Sequence, residues 1–233
     1  GSSQQNSSLP EKTEKATESA VIRGIVIRGG EDAPDEAIPD EAADAAFGLT
    51  EKKAADVAKP QADALREANT VLEAERNNGV FARRTHYSAT VAAQAEQIVT
   101  NLADQAEAQQ RNNNGGVTNK NHDLIATAIT YVERAELHAK RAKNFANQAA
   151  AVSDSATYHY GLALQNAAIA NRQTSYTVTR YAREALAVTK AHVDRMDAMA
   201  DRASESARRA ADAKERIIHA VDPNNVDGDN RKV

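Results

Sequence analysis

Apolar and small residues recur in alternating steps of three and four along the second half of the chain, at residues 125–170 and 178–220. This spacing is the heptad pattern of helices that pack side by side, as in a coiled coil. Residues 117–222 contain no proline and only one glycine, Gly161, so little interrupts a helix there. The pattern predicts two long helices. The first has core positions Ile125, Ala128, Val132, Ala135, Ala139, Ala142, Ala146, Ala149, Ser153, Ala156, Tyr160, Ala163, Ala167 and Ala170. The second has Val178, Ala182, Ala185, Thr189, His192, Met196, Met199, Ala203, Ser206, Ala210, Ala213, Ile217 and Ala220.

A polar stretch at residues 171–175 separates the two series. We expect the chain to fold back there into a helical hairpin. The alternative is one unbroken helix through this stretch, which would need a second copy of the chain to cover its apolar face. The intramolecular bundle is favoured because the sequence supplies enough helices to cover its own core.

The first half of the chain carries weaker helical signals. Thr50 is a candidate N-cap for a helix with core positions Ala54, Ala58, Leu65, Ala68 and Leu72, in which Pro60 predicts a kink or the helix start. The run Asn77-Asn78-Gly79 predicts a helix stop. A further helix is predicted over about residues 81–111, and residues 112–116 form the clearest loop. The core positions of this further helix are Val91, Ala95, Ile98, Leu102 and Ala106.

The two ends of the chain are predicted to differ from the middle. Residues 1–40 read as a largely disordered segment and linker, and residues 223–233 as a disordered tail. A short duplication at residues 21–30 could form a hairpin or a strand. Residues 41–222 are predicted to form an all-α, elongated antiparallel bundle of three to four long helices with coiled-coil-like packing.

Composition agrees with slender, closely spaced helices. Roughly one residue in five is alanine, about twice the usual share, while aromatic residues make up only 4%. The net charge of −4 lacks the concentrated basic surface of a nucleic-acid binder. The absence of cysteine excludes disulfides and thiol catalysis. No stretch is long and apolar enough to suggest a membrane span.

The sequence contains no motif of a catalytic, metal or cofactor site, and we predict that the protein is not an enzyme. None of the six histidines has a carboxylate three residues before it, so the di-iron bundle motif is absent. His192 lies on the predicted core beside Met196. A buried pH-sensitive group is possible there, but a polar residue that fixes helix register is favoured. Met196 and Met199 are interpreted as core filling rather than a soft binding patch.

Two further motifs have surface interpretations. Lys140, Arg141 and Lys143 could contact phosphates or anionic lipid, but a carboxylate four residues before Lys140 is typical of an ordinary solvated helix face. Asn6 begins an Asn-Ser-Ser sequence that matches a glycosylation site.

The alanine-rich core positions at 128–170 and 182–220, the Glu/Lys-rich start at 11–15 and the polar end at 224–233 resemble one class of proteins. These are the glutamic acid/alanine-rich and alanine-rich surface proteins of African trypanosomes, whose helical bundle is similar to that of the variant surface glycoproteins. The resemblance covers most of the chain and is one of style rather than of a diagnostic motif.

The resemblance implies a surface coat protein of the insect stage, held on the outer face of the plasma membrane by a C-terminal glycosylphosphatidylinositol anchor whose signal is not expected within these 233 residues. It implies neighbouring coat proteins and host or vector molecules as partners, and no cofactor. Residues Asn112, Asn113, Asn114, Gly115 and Gly116 would then be an exposed tip. Two alternatives remain open from the residues alone: an intracellular coiled-coil interaction scaffold, and a desiccation protein that is unfolded in solution.

Overall fold

The computed structural model describes residues 54–112 and 119–222, and within these ranges every residue except Asn171 and Asp222 is helical. Its three long helices pack against one another, which confirms the predicted all-α bundle of three to four helices. None of the helices in these ranges is long and apolar enough to cross a membrane. The elements are α1 (Ala54–Asn112), α2 (Asn119–Ala170), the short α3 (Arg172–Thr177), a π-helical turn (Val178–Ala182) and α4 (Arg183–Val221).

The described residues divide into two compact units, of which the first contains residues 54–80 and 149–193. Here the Asn78 side-chain nitrogen donates to the backbone carbonyl oxygens of Ala149, at 3.1 Å, and Thr189, at 3.3 Å. Both α2 and α4 therefore touch α1 at one point, so the chain must reverse direction between residues 149 and 189. The predicted fold-back between the two heptad series is confirmed.

The second unit contains residues 81–148 and 194–222. Phe81 stacks against Phe145, and Ser88 lies against His138, so numbers rise along α1 as they fall along α2. These two helices are therefore antiparallel. An ion pair between Glu107 and Arg216 joins α1 to α4 in the same unit.

The heptad positions predicted along α2 form its buried side, and only Tyr160 among them is half-buried. Along the second series only His192 and Met199 are half-buried, while Met196 is fully enclosed. The prediction held because most of these positions carry alanine. A methyl group buries little area, so the core depends on many close contacts between helix axes rather than on a few large side chains.

The predicted helix stop at Asn77-Asn78-Gly79 is wrong, because α1 runs without a break from Ala54 to Asn112. Asn78 is fully buried, and its amide binds carbonyl oxygens of two other helices. These contacts supply acceptors for its side-chain nitrogen, which an asparagine otherwise finds in a turn. Tertiary packing thus overrides a local signal worth about 1 kcal/mol for the glycine.

Two further predictions on α1 need correction. Pro60 lies inside α1, which excludes the helix start and leaves the kink as the prediction for this residue. Ala58 is exposed instead of buried. The core positions of the second half of the helix were predicted one residue too early at three places. The positions predicted there, Val91, Ile98 and Leu102, are half-buried, whereas the fully buried ones are Ala92, Val99 and Ala103. Both of these neighbouring sets of positions carry apolar residues. Periodicity alone therefore favoured the set with the larger side chains.

The break between α2 and α3 is a single residue rather than the predicted five. Asn171 has an extended backbone, and its side-chain oxygen accepts a hydrogen bond from the Thr174 amide nitrogen at 2.7 Å. This is the N-cap interaction that starts a new helix. The helix then passes through a π-helical turn, which inserts one residue into the helical repeat before α4 continues.

Several predictions lie outside the described residues. They concern the Thr50 cap, the disordered segment 1–40 with its duplication at 21–30, the Asn6 glycosylation site and the tail at 223–233.

Candidate functional site

A surface groove lies between α1 and α2 in the second unit and has a volume of about 360 Å³. This is at the lower end of the range for small-molecule sites. Its lining consists of Arg83, Arg84, Tyr87, Ser88, His138, Arg141 and Phe145.

The helical repeat brings these side chains to one place. On α2, His138, Arg141 and Phe145 follow one another in steps of three and four, so they share a face. On α1, Arg84 and Ser88 are four residues apart and share the face opposite. The antiparallel packing of the two helices turns these two faces into the walls of one groove.

The groove has a buried floor and an exposed rim. Ser88 and His138 are 2% and 9% exposed, and Phe145 is half-buried. Arg84 and Arg141 are exposed, and Tyr87 leaves 63% of its surface in solvent. The polar groups of the rim are therefore available to a ligand, while the floor offers an imidazole, a hydroxyl and an aromatic ring.

Aromatic rings organise the floor. The Tyr87 ring meets the His138 ring edge to face, with centroids 5.9 Å apart, and the Phe81 and Phe145 rings stack at 6.2 Å. These are ordinary distances for favourable aromatic pairs. Both phenylalanines of the described ranges lie in this cluster, in a chain with only 4% aromatic residues.

His138 is neutral at neutral pH. Burial lowers the pKa of its imidazole, and the nearby positive charges of Arg141 and Arg134 lower it further. Its Nδ1 atom lies 3.4 Å from the Ser88 hydroxyl oxygen. A neutral imidazole has one donor and one acceptor nitrogen, so it can offer a hydrogen bond to a ligand without adding charge.

The three arginines of the groove make no ion pair with any residue of the described ranges. Other arginines of the bundle do form such pairs: Arg66 binds Asp63, and Arg216 binds Glu107. The groove lining also contains no carboxylate. Within residues 54–112 and 119–222, no carboxylate therefore pairs with the positive charge of the groove.

The predicted site residues lie in different surroundings in the structure, and some fall outside the described residues. Asn112 is the last residue of α1, while Asn113, Asn114, Gly115 and Gly116 fall outside the described residues, as does Asn6. Tyr158 is exposed, and Tyr160 packs against the core. The Nδ1 atom of His159, which lies between them on α2, contacts the Glu67 carboxylate of α1, a contact that the sequence did not indicate.

The basic cluster on α2 splits in the structure. Arg141 lines the groove, whereas Lys140 and Lys143 are exposed outside its lining. His192 is half-buried beside Gly79, with its Nε2 atom 3.9 Å from where a Cβ on that glycine would lie. Within the described ranges, no three histidine, aspartate or glutamate side chains come together as potential metal ligands.

The sequence did not predict the groove because its lining comes from two segments that are far apart along the chain. A signal exists in retrospect: residues 76–95 and 137–153 contain no aspartate or glutamate, although the chain has 33 such residues. Antiparallel packing places parts of these stretches side by side, but their register could not be read from the sequence. Neither a family model, a curated protein nor a solved structure matches this chain.

Proposed function

We propose that this chain is a structural spacer of a cell-surface coat, as its resemblance to the alanine-rich trypanosome surface proteins implies. In this proposal the protein has no catalytic role. It stands on the parasite membrane through a C-terminal glycosylphosphatidylinositol anchor, holds other macromolecules away from the bilayer and presents a face to host or vector.

One observation carries the proposal: the described helices bury most of their heptad apolar positions against one another. The buried small residues of α1, α2 and α4 face one another within a single copy. A spacer in a crowded coat needs such a self-contained core, because an uncovered apolar face would bind neighbours indiscriminately. A coiled-coil scaffold, by contrast, keeps its apolar positions for a partner.

Helix length and surface charge also fit a spacer. The three long helices contain 59, 52 and 39 residues, against a usual mean of about 11–12. Each residue adds about 1.5 Å along the helix axis, so helices of this length span a large distance. The whole chain has 29 basic and 33 acidic residues, and such near balance limits repulsion between neighbouring copies.

The direct test uses cells that naturally express the complete gene. An epitope inserted between Asn114 and Gly115 should be reached by antibody on intact cells, and a phosphatidylinositol-specific phospholipase should release the protein into the medium. Staining only after permeabilisation, or complete retention after phospholipase treatment, would contradict the coat proposal.

Sedimentation velocity of the purified chain separates the spacer from the intracellular scaffold. We expect a monomer at micromolar concentration, because the helices already cover one another. A tight dimer or a filament would instead support a scaffold that assembles through its helices.

A further inference from the structure

The groove between α1 and α2 concentrates positive charge with which no carboxylate of the described helices forms an ion pair. Arg83, Arg84 and Arg141 line it together, and no carboxylate lies among its lining residues. Like charges that line one groove repel one another, and one of them, Arg141, contributes with burial and Arg134 to the lowered pKa of His138. An anion in the groove would relieve this repulsion.

The groove also offers a surface for a flat ring. Phe145 is half-buried at the floor, and Tyr87 projects from the rim with 63% of its surface exposed. An exposed tyrosine with its ring edge against His138 leaves a ring face available for stacking. Guanidinium groups also stack on aromatic rings and bind phosphate or carboxylate oxygens in pairs.

We propose that this groove binds a small aromatic anion: a flat ring that carries a phosphate or carboxylate group. The anionic group contacts Arg84 of α1 and Arg141 of α2, and the ring packs against Tyr87 and Phe145. The volume of about 360 Å³ suits a small molecule rather than a folded partner. This inference does not depend on the coat proposal, because a ligand site is compatible with either a surface or an intracellular protein.

A long polyanion is the less fitting occupant. Such a ligand would gain mainly from exposed lysines such as Lys140 and Lys143, which lie outside the groove lining. It would have little use for an aromatic floor. The aromatic cluster is therefore the observation that favours a compact ligand with its own ring.

The test separates the ring from the charge with three probes: 2-naphthyl phosphate, 2-naphthol and inorganic phosphate. Binding to the full chain is measured by NMR titration, which also reports the arginine Nε–H signals. We expect 2-naphthyl phosphate to bind with a dissociation constant below about 1 mM, at least about tenfold tighter than either part alone. The signals of Arg84, Arg141 and the Tyr87 ring should shift together.

Three variants assign the site, and one controls for net charge. Arg84→Gln, Arg141→Gln and Tyr87→Ala alter exposed side chains, so we expect them to fold. Each should weaken 2-naphthyl phosphate binding about fivefold or more. Arg202→Gln removes one charge from an exposed position of α4 and should change the constant less than about twofold. Circular dichroism and urea unfolding confirm that each variant retains the helical bundle.

Several results would overturn the proposal. Equal affinity for inorganic phosphate and 2-naphthyl phosphate would show that the ring adds nothing. If Arg202→Gln lost as much affinity for 2-naphthyl phosphate as Arg141→Gln, the effect would be one of net charge alone. Heparin binding that depends on Lys140 and Lys143 but not on Tyr87, in the absence of 2-naphthyl phosphate binding, would assign the surface to a polyanion instead.

Discussion

The side-chain amide of Asn78 on α1 donates to the backbone carbonyl oxygen of Thr189 on α4, 111 positions further along the chain. The same nitrogen also reaches the carbonyl oxygen of Ala149 on α2. One buried amide thus binds three helices at a single level. Such a contact allows only one axial alignment of the helices, as a buried asparagine does in coiled coils.

Replacing the hydrogen-bond donor at residue 78 by an acceptor should destabilise the bundle strongly. In Asn78→Asp, an acceptor would face two carbonyl oxygens, and a charge would be buried without a partner. We expect a loss of about 3–5 kcal/mol in the free energy of unfolding, against about 1–2 kcal/mol for Asn78→Ala. Urea unfolding measures both. Asn77→Asp, at the exposed neighbouring position, is the control and should stay within about 0.5 kcal/mol of the parent.

Alanine substitutions at two glycines test whether α1 is continuous. Gly79→Ala and Gly161→Ala should each raise the free energy of unfolding by about 0.5–1 kcal/mol, because both glycines lie inside helices. A Cβ at residue 79 would lie 3.9 Å from the His192 ring, an ordinary contact, and one at residue 161 would meet nothing within 4 Å. Stabilisation at residue 161 with destabilisation at residue 79 would instead favour a helix stop there.

The methyl-lined core should reject larger side chains. Ala167 is fully buried, whereas Ala168 is exposed on the same helix. We expect Ala167→Leu to lower the free energy of unfolding by about 1–3 kcal/mol, because added methylenes force the helix axes apart. Ala168→Leu is the matched control and should be nearly neutral. Equal stability of the two variants would mean that the helices are not closely packed at this position.

The ion pair of Arg216 with Glu107 should make a modest contribution that depends on pH. The guanidinium Nη2 lies 2.7 Å from the Glu107 carboxylate and 2.8 Å from Asp104. Because these groups are 36–66% exposed, we expect Arg216→Gln to cost about 0.5–1 kcal/mol in unfolding free energy. Arg202→Gln, exposed on the same helix, should cost less.

The sign of the pH effect follows from Glu107. Hydrogen bonds from Arg216 lower the pKa of its carboxyl group below the usual value of 4.5. The stability from this pair is therefore complete above about pH 4.5 and disappears as the pH falls through the lowered pKa. The difference between the parent and Arg216→Gln should shrink over this window in urea titrations. A constant difference down to pH 3 would contradict the assignment.

His138 should give a separate pH dependence near neutrality. Its pKa in the folded state lies below the ordinary 6.5, so the unfolded chain binds a proton first as the pH falls. Stability should therefore decrease from about pH 6.5 down to the lowered pKa. Burial and the positive charges of Arg141 and Arg134 on its own helix oppose its protonation. Arg83 and Arg84 line the same groove from α1.

Replacing the imidazole isolates its share of this slope. We expect His138→Gln to flatten the decrease in unfolding free energy below pH 6.5. His86→Gln, at an exposed position of α1, should leave the slope as in the parent. Bound 2-naphthyl phosphate should also reduce the slope, since its charge offsets the surrounding guanidinium groups. An unchanged slope in His138→Gln would assign the effect to other groups.

The core of α2 could be predicted from the sequence almost completely, because its heptad positions continue from Ile125 to Ala170, a segment with no proline and a single glycine, Gly161. The same reasoning failed at residues 77–79 of α1. There the local preference of Asn78 and Gly79 for a turn is outweighed by hydrogen bonds to residues 71 and 111 positions away. Information of that range is not contained in a short sequence window.

The groove could not be predicted for a related reason. Its two walls come from segments about 50 residues apart, as the contact of Ser88 with His138 shows. The steps of three and four place residues on one face of a helix, but they do not determine which faces of two helices pack against each other. A one-turn shift of α2 would bring other side chains opposite Arg84. Register, which depends on the summed packing of three helices, decides the chemistry of the site.

Because the core of the described helices is built mainly of alanine, most of their charged and polar side chains lie on the outer surface. Since methyl groups at every third or fourth position hold the helices together, the residues between them take little part in folding. Substitutions can therefore change charge, bulk and polarity at these outward positions while the backbone stays the same. A helical bundle of this kind can thus change its outer surface at many positions without rebuilding its core.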